Sequence, residues 1–135
     1  MKKCIYVLLV TFFVLACNND DDRSSNNEPT LSGSWSVINV IGGLAGIDDN
    51  YEEGVIVWNF DEQTQELTVT NNNVESVIYD GLASGIYSYE ILIEDENTSL
   101  IIDDIIYNLS ILTETSLVLD EGAFTSDGFQ LTFSR

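Results

Sequence analysis

Hydrophobic and polar residues alternate along most of the chain beyond residue 30, in short segments separated by Gly, Asn and Asp. Such alternation places every second side chain on the same face, which is the pattern of a half-buried antiparallel strand. Turn residues at intervals of about eight to twelve positions are typical of an all-β barrel or sandwich. The pattern predicts eight strands, at residues 33–41, 54–61, 66–71, 84–94, 99–103, 105–113, 116–121 and 129–134.

The alternation also predicts which side chains face the core. In the second strand, Ile56, Trp58 and Phe60 share one face. The predicted inward residues of the first strand are Trp35, Val37 and Ile41, and those of the longest strand are Tyr87, Tyr89, Ile91 and Ile93. Residues 74–79 fit either a short extra strand or part of a long loop. Residues 48–53 are predicted to be an acidic loop, and residues 44–51 have room for one turn of helix.

The start of the chain has a different pattern. Lys2 and Lys3 precede an apolar run over residues 4–16, which ends in Val-Leu-Ala before Cys17. This run has the length of a signal-peptide core, about 7 to 15 residues, and is shorter than the roughly 20 residues of a spanning helix. The residues that end at Cys17 resemble a bacterial lipobox, where a signal peptidase cuts and a lipid is joined to the Cys thiol. The resemblance implies that residues 1–16 are a lipoprotein signal peptide and that Cys17 anchors the protein to a membrane.

A polar segment follows the predicted anchor. Residues 18–30 carry Asn, Asp, Ser and Glu and no large apolar side chain. Such a segment cannot bury enough surface to offset its conformational entropy, so residues 17–30 are predicted to be the lipidated Cys17 and a disordered tether. Residues 18–22 read Asn-Asn-Asp-Asp-Asp, which resembles the acidic tract of surface-exported lipoproteins in Bacteroidetes-type bacteria. This resemblance implies an outer-membrane protein displayed on the cell surface, and a plain polar tether is the alternative.

The charge of the chain excludes several classes of partner. Removal of residues 1–16 leaves two basic residues, Arg23 and Arg135, against 23 acidic ones, which is a formal charge of −21. A surface this negative repels nucleic acid and anionic lipid. The processed chain also has no His, no Lys and no free Cys, so common catalytic bases and nucleophiles are missing. We therefore expect no enzyme activity, no cofactor and no disulfide.

Three short motifs support a more specific fold. The first strand opens with Gly33-Ser34-Trp35, the longest strand contains Gly-Ile-Tyr-Ser-Tyr, and the chain ends in Phe-Ser-Arg135. Together they resemble the lipocalin-like domain of small lipoproteins from Bacteroidetes-type bacteria. The resemblance implies that residues 31–135 form one antiparallel up-and-down β-barrel of about eight strands. It also implies that Trp35 closes one end of the barrel and that Arg135 packs over its ring.

The interior of such a barrel has two alternative uses. An eight-stranded barrel is just wide enough to be filled by side chains or to hold one small ligand. The candidate ligand-lining residues are Trp58, Phe60, Tyr87, Tyr89 and Phe133. The same aromatic residues are equally explained as core packing, and so many bulky groups favour a filled interior.

The acidic loop at residues 48–53 raises the question of a metal. It places Asp48, Asn50 and Glu52 at alternate positions, and hard oxygen ligands of this kind suit Ca²⁺. Gly54 falls one position late for an EF-hand loop, so no metal site is assigned and calcium binding stays an open question.

Two functions are compatible with these patterns. The first is a monomeric, membrane-anchored interaction module whose loops or sheet edge contact a protein or a glycan at the cell surface. The second is a carrier that holds a small apolar ligand inside the barrel. An exposed apolar patch on the outside favours the first, and an interior pocket of about 300 to 1,000 Å³ favours the second.

Overall fold

A computed structural model of the chain describes residues 28–135. The predicted signal peptide, Cys17 and the acidic tract lie outside the described residues, as does the tether except for residues 28–30. Within the described part, no helix is long and apolar enough to cross a membrane.

The described chain forms nine strands, each of which pairs with antiparallel neighbours. Their bounds are β1 Gly33–Gly42, β2 Ile47–Asn50, β3 Ile56–Asp61, β4 Glu66–Asn71, β5 Gly85–Glu94, β6 Asn97–Ile102, β7 Ile105–Leu112, β8 Ser116–Asp120 and β9 Phe129–Ser134. From β3 onwards every strand pairs with the next, and β9 pairs with β1. This closure confirms the predicted fold, an antiparallel up-and-down barrel of eight strands, to which β2 is added.

Strand β2 lies where the sequence predicted an acidic loop with room for one helical turn, so that prediction was wrong. Gly43 and Gly46 adopt φ values of 67° and 64°, a left-handed conformation that costs glycine little. The tight turn returns the chain along β1, where Ile47–Asn50 pairs beside β1 on the same side as β3. Strand β2 is short and almost entirely polar, so it lacks the alternation of hydrophobic and polar residues from which the other strands were predicted. Residues 74–79 form no strand and belong to a long β4–β5 loop.

A bulge in β1 changes which of its side chains face inward. The pairing of β1 with β9 shifts register between Val37 and Asn39. Because one extra residue reverses the alternation, Val40 is fully buried and Ile41 is only half-buried. The prediction that Ile41 points inward together with Trp35 and Val37 was therefore wrong.

The strand directions give the barrel two distinct ends. The N-terminal end carries residues 28–32, Arg135 and the turns that follow β3, β5 and β7. The loop end carries the connections that follow β1, β4, β6 and β8, of which the β4–β5 loop is the longest. Between the two ends, the core consists of alternate side chains from β1 and from β3 to β9. The largest fully buried side chains are Trp35, Trp58, Phe60, Tyr89, Tyr107 and Phe133.

Strand β5 extends past the barrel wall at the N-terminal end. Strand β4 pairs with β5 only as far as Glu66 opposite Ser88, whereas β5 continues to Glu94. Ile91 and Ile93 have the inward alternation of Tyr89, but they are 42% and 71% exposed. The prediction that they belong to the core was wrong, because the barrel ends before the strand does.

Candidate functional site

A cation–π contact lies at the N-terminal end of the barrel. The guanidinium carbon of Arg135 is 4.0 Å from the centroid of the Trp35 ring, so the structure brings together the two residues predicted to close this end. Gly33, which begins the Gly-Ser-Trp motif, has a φ of 109°, and a Cβ at this position would be 3.6 Å from Arg135 Nη1. The backbone conformation therefore favours glycine here, where the first strand passes under the arginine.

Arg135 also donates hydrogen bonds to three backbone carbonyls. Its Nε donates to Glu114 O at 2.7 Å, Nη1 to Ser32 O at 2.9 Å and Nη2 to Thr30 O at 3.1 Å. Trp35 Nε1 donates to Leu31 O at 2.8 Å, so the same chain segment is held by both partners of the stack. One side chain thus joins the segment before β1, the β7–β8 turn and the end of β9.

The candidate ligand-lining residues pack against one another in the interior. Trp58 is fully buried, with ring centroids 6.2 Å from Phe60 and 5.2 Å from Phe133. Tyr89 meets Phe60 edge to face at 5.4 Å. These separations are those of aromatic pairs in direct contact. The interior of this half of the barrel is therefore filled by its own side chains.

Tyr87 is placed differently from the other candidates. It is half-buried, and its hydroxyl donates to Ala83 O at 2.8 Å at the foot of the β4–β5 loop. Tyr107, which the sequence did not single out, is fully buried and meets Trp58 edge to face at 5.9 Å. Tyr107 has the inward alternation of the seventh strand. The sequence did not distinguish it from Ile105 and Leu109, which share the same face.

Two buried polar atoms in the interior have no hydrogen-bond partner among residues 28–135. They are the indole Nε1 of Trp58 and the hydroxyl of Tyr89. Unpaired buried donors are uncommon, because each loses its hydrogen bonds to water without replacement. These two atoms are the chemical feature of the interior that a polar group of a ligand, or a water molecule, would satisfy.

The β4–β5 loop covers the loop end of the barrel. Tyr79 stacks on Phe129 with ring centroids 4.1 Å apart and an interplanar angle of 15°, and its hydroxyl lies 3.3 Å from that of Tyr107. Gly81 has a φ of 94°, and a Cβ there would approach Leu131 Cδ2 to 3.2 Å. The loop therefore packs down on the core as a lid. No periodic pattern marks such a loop in a sequence, so the sequence did not reveal this role.

The lid tyrosine is held in its neutral form. Burial raises the pKa of Tyr79 to about 12, and the hydrogen bond to Tyr107 opposes that rise in part. Burial also raises the pKa of Tyr107, and the neighbouring Tyr79 adds to the effect. Both hydroxyls thus stay protonated when ordinary tyrosines ionise.

The acidic side chains of the described chain are not arranged to bind a metal. Residues 28–135 contain no group of three potential ligands close enough to hold one ion. In the loop considered for calcium, Asp48 and Asn50 instead accept hydrogen bonds from Asn39 Nδ2 at 2.8 and 3.2 Å. Glu52 is exposed.

The outer surface of the barrel carries exposed apolar side chains. On the outer face of β5 and β7 they are Ile86, Leu92, Ile106 and Ile111, whereas Ile91 and Ile93 are exposed where β5 passes the end of the barrel. A shallow groove of about 360 Å³ lies beside them and is lined by Ile86, Glu90, Ile101 and Asp103, among others. Apolar groups therefore face water on one side of the barrel, next to carboxylates.

Comparison with known proteins adds one similar structure. No protein-family model matches the chain, and no curated protein matches it. Among solved structures, a lipocalin-like protein from Bacteroides uniformis matches with a TM-score of 0.49 and 12% sequence identity, over 78% of this chain and 97% of that chain. The eight-stranded barrel is defined by its strand pairings.

Removal of the Arg135 side chain is expected to weaken the N-terminal end. Arg135→Ala should lower the free energy of unfolding by about 1–3 kcal/mol, because it removes the cation–π contact and three charge-assisted hydrogen bonds at an exposed site. Arg135→Lys should recover part of the loss, since an ammonium group cannot reach all three carbonyls. Urea denaturation followed by tryptophan fluorescence measures both. Glu114→Ala is the matched control because Arg135 binds only the backbone of Glu114, and equal effects of R135A and E114A would contradict this role.

The lid should also make stability depend on pH above the ordinary tyrosine pKa of 10. Because the pKa of Tyr79 is higher in the folded than in the unfolded state, its contribution is full below pH 10 and is lost as the pH rises to about 12. Urea denaturation across this range should show a steep decline for the wild type. Tyr79→Phe keeps the stacked ring and should reduce that decline by the contribution of one group, because the buried Tyr107 also has a raised pKa. An unchanged slope in Y79F would show that Tyr79 is not held neutral by the fold.

Proposed function

We propose that this protein is a lipid-anchored, non-enzymatic interaction module, displayed on the outer membrane as a monomer, that binds its partner with the outside of a filled barrel. The observation that carries the proposal is the contrast between the two sides of the wall. Inside, aromatic rings contact one another and the lid covers the loop end. Outside, isoleucine side chains on β5 and β7 are exposed to water.

The filled interior argues against a carrier role. Ligand pockets of proteins have volumes of about 300 to 1,000 Å³ and are lined mainly by apolar side chains. Here Trp58, Phe60 and Phe133 occupy the position that such a ligand would take. Entry from the loop end would also require the stacked pair of Tyr79 and Phe129 to separate.

The lipobox and the acidic tract support the membrane-anchored part of the proposal. A tether of this length reaches on the order of 20 Å if it behaves as a flexible chain. The chain enters the barrel at the N-terminal end, next to the Arg135 stack. The stack would hold the barrel together at the point where the tether joins it.

The chemistry of the side chains supports a binding role without catalysis. The processed chain would have no His, Lys or free Cys. A pair of carboxylates can serve as acid and base when one of them is held in an apolar pocket. The residues that fill the core are apolar or aromatic, and no buried charged side chain occurs between residues 28 and 135.

A carrier of one small ligand is the second candidate. The unpaired Trp58 Nε1 and Tyr89 hydroxyl favour it, because a polar group of a ligand would satisfy either atom. A buried water molecule would satisfy them equally well, and it needs far less room.

Native mass spectrometry separates the two candidates. Residues 18–135, which contain every strand of the barrel, should give a clean mass of the protein alone after purification from cells and after addition of fatty acids. Trp58→Ala incubated with indole is the positive control, since the missing ring leaves a void of the same shape. A retained mass of a few hundred daltons in the wild type would contradict the interaction module and support the carrier.

The lipid anchor is tested in the full chain. Wild-type protein should partition into the membrane fraction and label with a radioactive fatty acid, whereas Cys17→Ala should not label. Cys4→Ala is the matched control, because it removes the other thiol and should still label. Protease added to intact cells should degrade a surface-displayed protein, and a fully protected protein would place the barrel on the inner side of the membrane.

A further inference from the structure

Strand β5 has an unpaired edge. The last backbone contact with the β4 side is the bond from Tyr89 N to Gln65 O, at 3.0 Å. Beyond it, residues 90–94 pair only with β6, on their other side. We call residues 90–94 the β5 edge. Within the described chain, no strand pairs with this edge on the side that β4 leaves open.

The backbone of two isoleucines faces this open side. In a strand, the N–H and C=O groups of alternate residues point to the same side. Because Tyr89 N donates towards the β4 side, Ile91 and Ile93 point their backbone groups the same way. Each has one donor and one acceptor, so the edge offers an incomplete ladder to another strand.

The side chains of the β5 edge are both apolar and acidic. Ile91, Leu92 and Ile93 are 42%, 39% and 71% exposed. Glu90 and Glu94 flank them and are exposed as well. The edge is therefore an apolar centre with a negative charge at each end.

We propose that the β5 edge binds an extended segment of a partner protein as an added antiparallel strand, and that the segment has three apolar residues between two basic ones. This inference rests on the proposed function and gives the partner its chemistry. Added strands obtain affinity from backbone hydrogen bonds and specificity from alternate side chains. In antiparallel register, basic residues of the partner lie opposite Glu90 and Glu94, and apolar residues lie beside the three side chains between them.

A second copy of this chain fits the edge poorly. Antiparallel pairing of two β5 edges places Glu90 of one copy opposite Glu94 of the other, and directly opposed like charges destabilise a sheet. The acidic tip of the hairpin, Asp95 and Glu96, adds to the repulsion. Flanking charges of this kind are a common way in which proteins prevent self-pairing at a free edge.

A membrane surface fits it poorly as well. The three apolar side chains lie next to the hairpin tip, where Asp95 and Glu96 are exposed. Insertion of the tip into a bilayer would bring these carboxylates into an apolar medium, which is costly for charged groups. A polypeptide that carries its own basic residues has no such cost.

The test uses residues 18–135 labelled with ¹⁵N and a capped heptapeptide, Ser-Lys-Val-Val-Val-Lys-Ser, titrated by NMR. The amide signals of Ile91 and Ile93 should shift, and their hydrogen exchange should slow. The control peptide has Glu in place of both Lys residues and should bind at least about tenfold more weakly. The double variant Glu90→Lys/Glu94→Lys should reverse this preference.

A backbone variant tests the added strand directly. Ile93→Pro removes an N–H group that faces the open side and leaves the β6 ladder intact, so it should abolish binding while the core amide signals stay unchanged. Ile93→Thr retains that N–H group and should still bind. If I93P does not fold, the charge reversal supplies the test without a backbone change.

Several results would overturn the proposal. The proposal is wrong if the amide signals of the β5 edge do not shift, if both peptides bind equally well, or if I93P binds the peptide as the wild type does. Concentration-dependent dimers that I93P abolishes would assign the edge to a second copy. Binding to phosphatidylethanolamine–phosphatidylglycerol vesicles that Ile93→Thr abolishes would assign it to a membrane. If the peptide does not bind and the native mass spectrum shows the protein alone, strand addition at the β5 edge is refuted. The proposed interaction module is not refuted by that result.

Discussion

The pairing of β1 with β9 is the contact on which the rest of the structure depends. Without it the sheet would be open, with two long edges and a core exposed on one face. The bulge after Val37 lets β1 bend across this seam and turns Val40 inward. Arg135 follows β9 directly and stacks on Trp35 near the start of β1, so the same residues that end the barrel also hold the seam closed. The first and last parts of the fold are therefore stabilised together.

Closure with eight strands also limits what the interior can do. The radius of such a barrel leaves room for either side chains or one small ligand. Two Trp, two Phe and two Tyr residues are fully buried here, and every one of their rings except that of Trp35 contacts another ring of the set. Side chains of this size use the available volume, and the lid at the loop end completes the enclosure. A protein with a filled barrel has only its loops, its outer face and any strand edge for recognition.

Much of the fold could be predicted from the sequence because period-two alternation is a local signal. It gave the eight strands of the barrel within a few residues, including the inward set in the strand of Trp58. The errors arose where local pattern and tertiary arrangement diverge. Ile41 was assigned to the core because the alternation of hydrophobic and polar residues does not reveal a β-bulge. Ile93 was assigned to the core because the length of a strand does not show where its neighbouring strand ends. The lid residue Tyr79 lies in an aperiodic loop, and its stacking partner Phe129 is 50 positions away in the sequence. The pair of Trp35 and Arg135 came from a family resemblance, since no local rule joins residues so far apart.

The free edge follows from a mismatch in strand length. β5 has ten residues and β4 has six, so a closed barrel acquires a protruding hairpin with one unpaired side. An edge of this kind with three exposed apolar residues would ordinarily invite aggregation. The glutamates at its two ends oppose pairing with identical copies, and the same charges attract a basic segment. The strongly acidic composition thus has a local consequence as well as a global one. A high net charge opposes the association of copies, and in the proposed complex the charges at the β5 edge select which kind of strand can be added.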